Sequence, residues 1–185
     1  MIIKQFTSLF FFIIVFSCTT QDNSRTYQLA KTSTPPTINK NLPQKERSKK
    51  LILEKPDSWL PSEGSSMRLV SFSVPYSFGL GDLSVIKLEG DGGGLLSNIN
   101  RWRRQLNLDP LNIDEIEQNI VNMNGKLGSY KIIQIQNEEI DNAFLCAILP
   151  LVDKTIFVKL SLNPKGITEV ENDFISFCSS LNILK

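Results

Sequence analysis

The sequence predicts an α+β fold in which an antiparallel sheet carries helices packed on it, an α/β/α sandwich. Three observations predict it: alternating runs typical of half-buried strands, hairpin-length links between them, and helical spacing confined to separate stretches. The order along the chain is two strands, two helices, three strands and a final helix.

The first strand is "MRLVSFSV" (67–74), with Val70, Phe72 and Val74 on one face and Ser71 and Ser73 on the other. "DLSVIKLE" (82–89) repeats the habit, and "PYSFGLG" between them supplies Pro75, Gly79 and Gly81 for a hairpin. In "GDGGGLLSNINRWRRQLNL" (90–108), Leu95, Ile99, Trp102 and Leu106 fall on one stripe, which predicts a core-facing helix over 95–106 that ends before Pro110. A second helix is expected from "NIDEIEQNIVNM": Asn112 caps, Glu115 completes a capping box, and Ile113, Ile116 and Ile120 make the buried side. "SYKIIQIQ" (129–136), "AFLCAILPL" (143–151) and "TIFVKLSL" (155–162) are strand-like, and the short "VDK" link favours antiparallel pairing. Val170, Phe174, Phe177 and Leu181 recur at helical spacing near the end. These elements occupy residues 51–185, the size of one domain with its own core.

Ahead of the domain, residues 1–17 read as a secretory signal: Lys4, then an apolar run from Phe6 to Phe16 that is shorter than the roughly 20 residues a bilayer core requires. The run ends at Val15, Phe16, Ser17 and Cys18, which resemble the lipobox of bacterial lipoproteins. That resemblance implies cleavage before Cys18, a diacylglyceryl thioether on its sulfur, and a further acyl chain such as palmitate on its amino group. Several chains on one residue anchor stably where a single chain does not. An uncleaved anchor and an ordinary signal peptide with an incidental cysteine remain the alternatives. Thr19 stands where Asp would favour inner-membrane retention, so a periplasm-facing position on the outer membrane is preferred.

Residues 18–50 follow as the lipid-bearing cysteine and a polar tether without apolar periodicity, too poor in apolar surface to offset ordering entropy. As a coil its 32 residues after Cys18 span roughly 30 Å r.m.s.. Residues 19–50 hold seven basic residues (Arg25, Lys31, Lys40, Lys45, Arg47, Lys49, Lys50) against Asp22 and Glu46, a net +5. Residues 51–185 hold 12 basic and 17 acidic residues, a net −5, which does not suit nucleic acid. The basic run "KERSKK" reads either as a contact for anionic lipid or as a solvated segment.

Three glycines, Gly92, Gly93 and Gly94, precede the arginine-bearing helix. Two readings stay open: a cradle of free N–H groups at a positive helix end, or a tight corner that needs positive φ and close approach to the sheet. Neither a Gly-Lys-Ser/Thr ending nor a third fingerprint glycine is present, and Asp91 opposes phosphate. Asn98, Arg101 and Gln105 line up on one flank of the helix and Arg103 lies beside the apolar stripe, so these four with the glycines are the candidate ligand or partner contacts.

"SSMRLVSF" together with the glycine stretch resembles the signature of an envelope-protein domain without established activity. The matching residues are Arg68, Gly93, Gly94, Asn98, Asn100, Arg101, Trp102, Arg103 and Gln105. The element order, with Trp59 leading into the first strand, looks similar to PsbP-like domains, an α/β/α family that includes exported lipoproteins.

Histidine is absent, which excludes Ser-His-Asp and Cys-His mechanisms and imidazole zinc sites. Cys146 and Cys178 sit in apolar company and read as small hydrophobes, or as a disulfide in an exported protein. Glu138, Glu139 and Asp141 read as a hydrated turn rather than a metal loop. No motif asks for a metal or cofactor. The expectation is a lipid-anchored envelope protein whose domain is a non-catalytic interaction or assembly module; its partners are membrane lipid, through Cys18, and another envelope protein. The alternative is a small-ligand binder or an enzyme that uses the turn 92–94 and the helix 95–106.

Overall fold

Alternation along seven strands builds one antiparallel sheet in the computed structural model, which describes residues 51–183. The expected signal, Cys18 and the tether lie outside those residues. The strands are β1 (Leu51–Ile52), β2 (Leu60–Pro61), β3 (Arg68–Tyr76), β4 (Gly79–Glu89), β5 (Ile120–Gly125), β6 (Gly128–Asn137), β7 (Asn142–Pro150), β8 (Lys154–Leu162) and β9 (Asn182–Ile183). The helices are α1 (Leu95–Gln105), α2 (Ile113–Gln118) and α3 (Ile167–Ser180). The sheet order is β2-β3-β4-β8-β7-β6-β5, and β1 pairs separately with β9.

This order follows from where the helices fall in the chain. After the β3–β4 hairpin the two helices carry the chain across to the far edge, where β5 starts. Three hairpins then lead back until β8 closes against β4, with Leu83 opposite Leu160 and Val85 opposite Val158. Two of the connections are two-residue links, and the glycine that follows each takes a positive φ that other residues rarely adopt: Gly79 at +138° and Gly128 at +114°.

Each sheet face has its own core. On one face Val74, Leu83, Val158, Leu145 and Tyr130 meet Val170, Phe174 and Phe177 of α3. Trp59, 1% exposed, closes that core with ring centroids 5.2 Å from Phe177 and 6.3 Å from Phe72. On the other face Ile99, Trp102 and Leu106, with Ile116 of α2, cover Phe157, Phe144, Cys146, Ile133 and Ile135. Full burial of each large side chain contributes about 1.5–3 kcal/mol. The fold is therefore α+β with helices on both faces, as the alternation predicts.

The second helix is shorter than expected. Asn112 caps it with the full box, accepting from the Glu115 N–H while Glu115 Oε2 accepts from the Asn112 N–H. It stops at Gln118, and Ile120 opens β5 opposite Ile133. A β-branched pair, Ile120-Val121, gains more from a ladder than from a helix turn. Ile116 is buried, whereas Ile113 is 41% exposed. The first hairpin is also tighter than the glycines imply, because β3 and β4 run on to Tyr76 and Gly79.

Candidate functional site

The glycine turn is a corner whose donors are used within the protein. Gly90, Gly92, Gly93 and Gly94 take φ of +59°, +63°, +97° and +83°. Their four N–H groups donate inward: Gly90 to the Asp153 carbonyl, Gly92 to that of Glu89, Gly94 to that of Asp91, and Gly93 to Asp91 Oδ1 at 2.9 Å. The protein's own carboxylate thus takes the place that an anion would fill in the cradle reading. A Cβ on Gly92 would lie 2.5 Å from the Phe157 ring, so this glycine also lets the turn approach the sheet. A cleft of about 400 Å³ adjoins the turn, bordered by Gly94, Leu95, Lys131, Pro150 and Val152.

The candidate helix residues separate into three roles. Asn98 is 2% exposed; its amide donates to the carbonyls of Gly92 (3.0 Å) and Gly94 (2.7 Å), and its oxygen accepts from Arg101 (2.7 Å). It is a brace for the turn, not part of a solvated ridge. Arg103 points the other way and donates from Nε to the Asp109 carbonyl, fixing the chain after the helix. Asn100 does similar work, exchanging two hydrogen bonds of 2.9 Å with the backbone of Leu111. Arg101 and Gln105 stay on the flank, where Gln105 Oε1 accepts from Lys159 Nζ at 2.9 Å.

Lys159 leads to a region the sequence does not single out. On the face covered by α1 and α2 the apolar core draws nothing from β2 or β3. There the strands present two adjacent cross-strand rows: Ser71, Ser84, Lys159 and Cys146 in one, and Ser73, Asp82, Ser161 and Phe144 in the other. Arg68 grips Asp82 through two hydrogen bonds, of 2.8 and 2.9 Å, and reaches Ser71 Oγ at 3.3 Å. The Asp82 bond holds the Arg68 guanidinium above its ordinary pKa. Lys159 Nζ stands 4.3 Å over the Phe144 ring. Burial lowers the Lys159 pKa; Arg68 and Arg101 lower it further, against the opposing influence of Cys146 and Asp82. The clue in the sequence was Ser71 and Ser73 alternating with the apolar residues of β3, but only the strand register brings Asp82 and Lys159 beside them.

Over this end of the face runs the loop 62–65, with Gly64 pressed against Ser71 and Arg68. Loop, Arg68, Ser73 and Asp82 enclose an open cleft of about 480 Å³.

Of the two readings of Cys146 and Cys178, small buried hydrophobes or a disulfide, the structure has the first. Cys146 and Cys178 are free thiols, and they belong to opposite sides of the sheet: Cys146 faces α1 and α2, while Cys178 lies in the core beneath α3. Strand alternation places Cys146 on the face away from α3, so a bond would have to pass through the sheet. Burial pushes both thiols well above their ordinary pKa. Glu138 to Ile140 form one exposed 3₁₀ turn, with Asn137 accepting from the Glu139 N–H. Among the described residues no group of three or more Cys, Asp or Glu side chains could hold a metal, and no helix is long and apolar enough to cross a membrane.

No family model and no curated protein matches the chain. Among solved structures it is similar to the solution structure of cyanobacterial PsbP (CyanoP) from Synechocystis sp. PCC 6803, with a TM-score of 0.46 and 14% identity over 72% of this chain and 92% of that one. It is also similar to a crystal structure from Bacteroides thetaiotaomicron VPI-5482, with a TM-score of 0.45 and 12% identity over 73% of this chain. That match spans 45% of the Bacteroides chain.

Proposed function

We propose that the protein is a lipid-anchored component of a bacterial cell envelope, held through Cys18, and that its domain binds a partner or ligand without transforming it. The observation that carries the reading is the distribution of the three cysteines: Cys18 follows an apolar export-type run, whereas Cys146 and Cys178 are buried in separate cores where thiolate chemistry is suppressed. The inward use of all four glycine N–H groups supports a structural corner over a phosphate cradle. The net +5 of residues 19–50 supports placement beside an anionic surface.

Detergent-phase partition of the full chain from a bacterial membrane fraction tests this reading. The wild type is expected in the detergent phase and Cys18→Ala in the aqueous phase. Equal partition of the two would remove the anchor from the account.

A further inference from the structure

The polar end of the sheet face has the chemistry of a site and not of bare surface. Its cleft is lined by Ser62, Ser65, Ser73, Arg68, Asp82 and Glu63 with Gly64, so neither an aliphatic nor an aromatic side chain borders it. A protein partner would find no apolar anchor of the kind that dominates interface energetics, and an apolar ligand would find nothing to bury against. Ser62 Oγ is buried in that wall with no hydrogen-bond partner among the described residues, a cost of about 1–3 kcal/mol unless something else supplies one. The Arg68–Asp82 pair is rigid and bidentate, and offers a fixed acceptor edge to an incoming hydroxyl.

Charge is unbalanced along the same face. Lys159 and Arg101 form no salt bridge among the described residues; their polar partners are the neutral amides of Gln105 and Asn98. Asp82, the carboxylate whose charge acts on Lys159, is already held by Arg68. The hydroxyl-lined cleft, which also carries Glu63, therefore lies on the same face as two cations without a salt bridge among the described residues.

Building on the reading of the domain as a binding module, we propose that this cleft and the Lys159–Arg101 ridge on the same face bind an anionic saccharide. Hydroxyls meet Ser65, Ser73 and Asp82, and the acid group faces Lys159 and Arg101. A carboxylate and a phosphate share this chemistry, and the probes separate them.

The test is a titration of the ¹⁵N-labelled full chain in detergent micelles with trigalacturonate, glucose 6-phosphate, neutral maltotriose, triglutamate and inorganic phosphate. The proposal expects at least one acidic sugar to move the backbone amides of residues 62–65, Ser73, Asp82 and Lys159; the sugar that does so identifies the acid group. Lys159→Met, which keeps the stem over Phe144, should weaken that binding about tenfold, the equivalent of roughly 1.4 kcal/mol. Arg101→Gln is the second variant should Lys159→Met lose the native spectrum. Absence of shifts at these amides with both acidic sugars overturns the proposal. So does an equal response to maltotriose, to triglutamate or to inorganic phosphate. The outcome is independent of the anchor, because Cys18→Ala should give the same shifts.

Discussion

The Asn98 side-chain amide spans from the carbonyl of Gly92 to that of Gly94, six and four residues back, and so ties the first turn of α1 to the loop that feeds it. A side chain that looks like a surface contact in the sequence is therefore an internal brace. Asn98→Ala should cost about 1–3 kcal/mol: the Gly92 carbonyl loses its side-chain donor in a half-buried corner, while that of Gly94 keeps only the Asn98 N–H. Arg101→Ala, on the exposed side of the same network, should stay within about 0.5 kcal/mol. Urea midpoints at constant slope measure both.

The glycines of the turn should not be equivalent. Gly90 and Gly92 share a left-handed φ, but only Gly92 would drive a Cβ into the Phe157 ring. Gly90→Ala should cost about 1–2 kcal/mol for the backbone alone. Gly92→Ala should add about 1–3 kcal/mol of overpacking. Equal melting temperatures for the two variants would contradict the close approach.

Both buried thiols should resist alkylation in the native protein at pH 8 and react fully once it is unfolded. Intact mass should be the same with and without reductant. Their folded pKa values lie above the ordinary 9.0, so their contribution to stability is complete below about pH 9 and is lost as pH rises beyond it. Each thiol steepens that decline by about 1.4 kcal/mol per pH unit. Burial also raises the Tyr130 pKa and lowers that of Lys159, so the comparison is the alkaline slope of wild type against the Cys146→Ala, Cys178→Ala double variant, which should be shallower.

The Arg68–Asp82 pair should organise its surroundings more than it stabilises the fold. Asp82 is 54% exposed in its side chain, so solvent screens the attraction. A double-mutant cycle with Arg68→Ala and Asp82→Ala should return a coupling of about 1 kcal/mol or less.

Much of the fold was legible because strands and helices here obey simple periods. Val70, Phe72 and Val74 read as a buried face and are one, and Ile99, Trp102 and Leu106 lie where the helical stripe puts them. Ile120 was misread because one isoleucine fits both a helical spacing and the start of a strand, and its partner Ile133 is remote in sequence. The same limit hid the polar site. Arg68, Asp82 and Lys159 come from three strands, and only their register sets them in adjoining rows. The choice between free thiols and a disulfide stayed open for a related reason: apolar company says that a thiol is buried, while strand parity decides on which face.

Attachment through Cys18 is decided by the intact mass of the full chain purified from a membrane fraction. The expected mass equals residues 18–185 plus acyl chains and is lost in Cys18→Ala. An unprocessed chain, or a processed chain carrying no lipid, would contradict it.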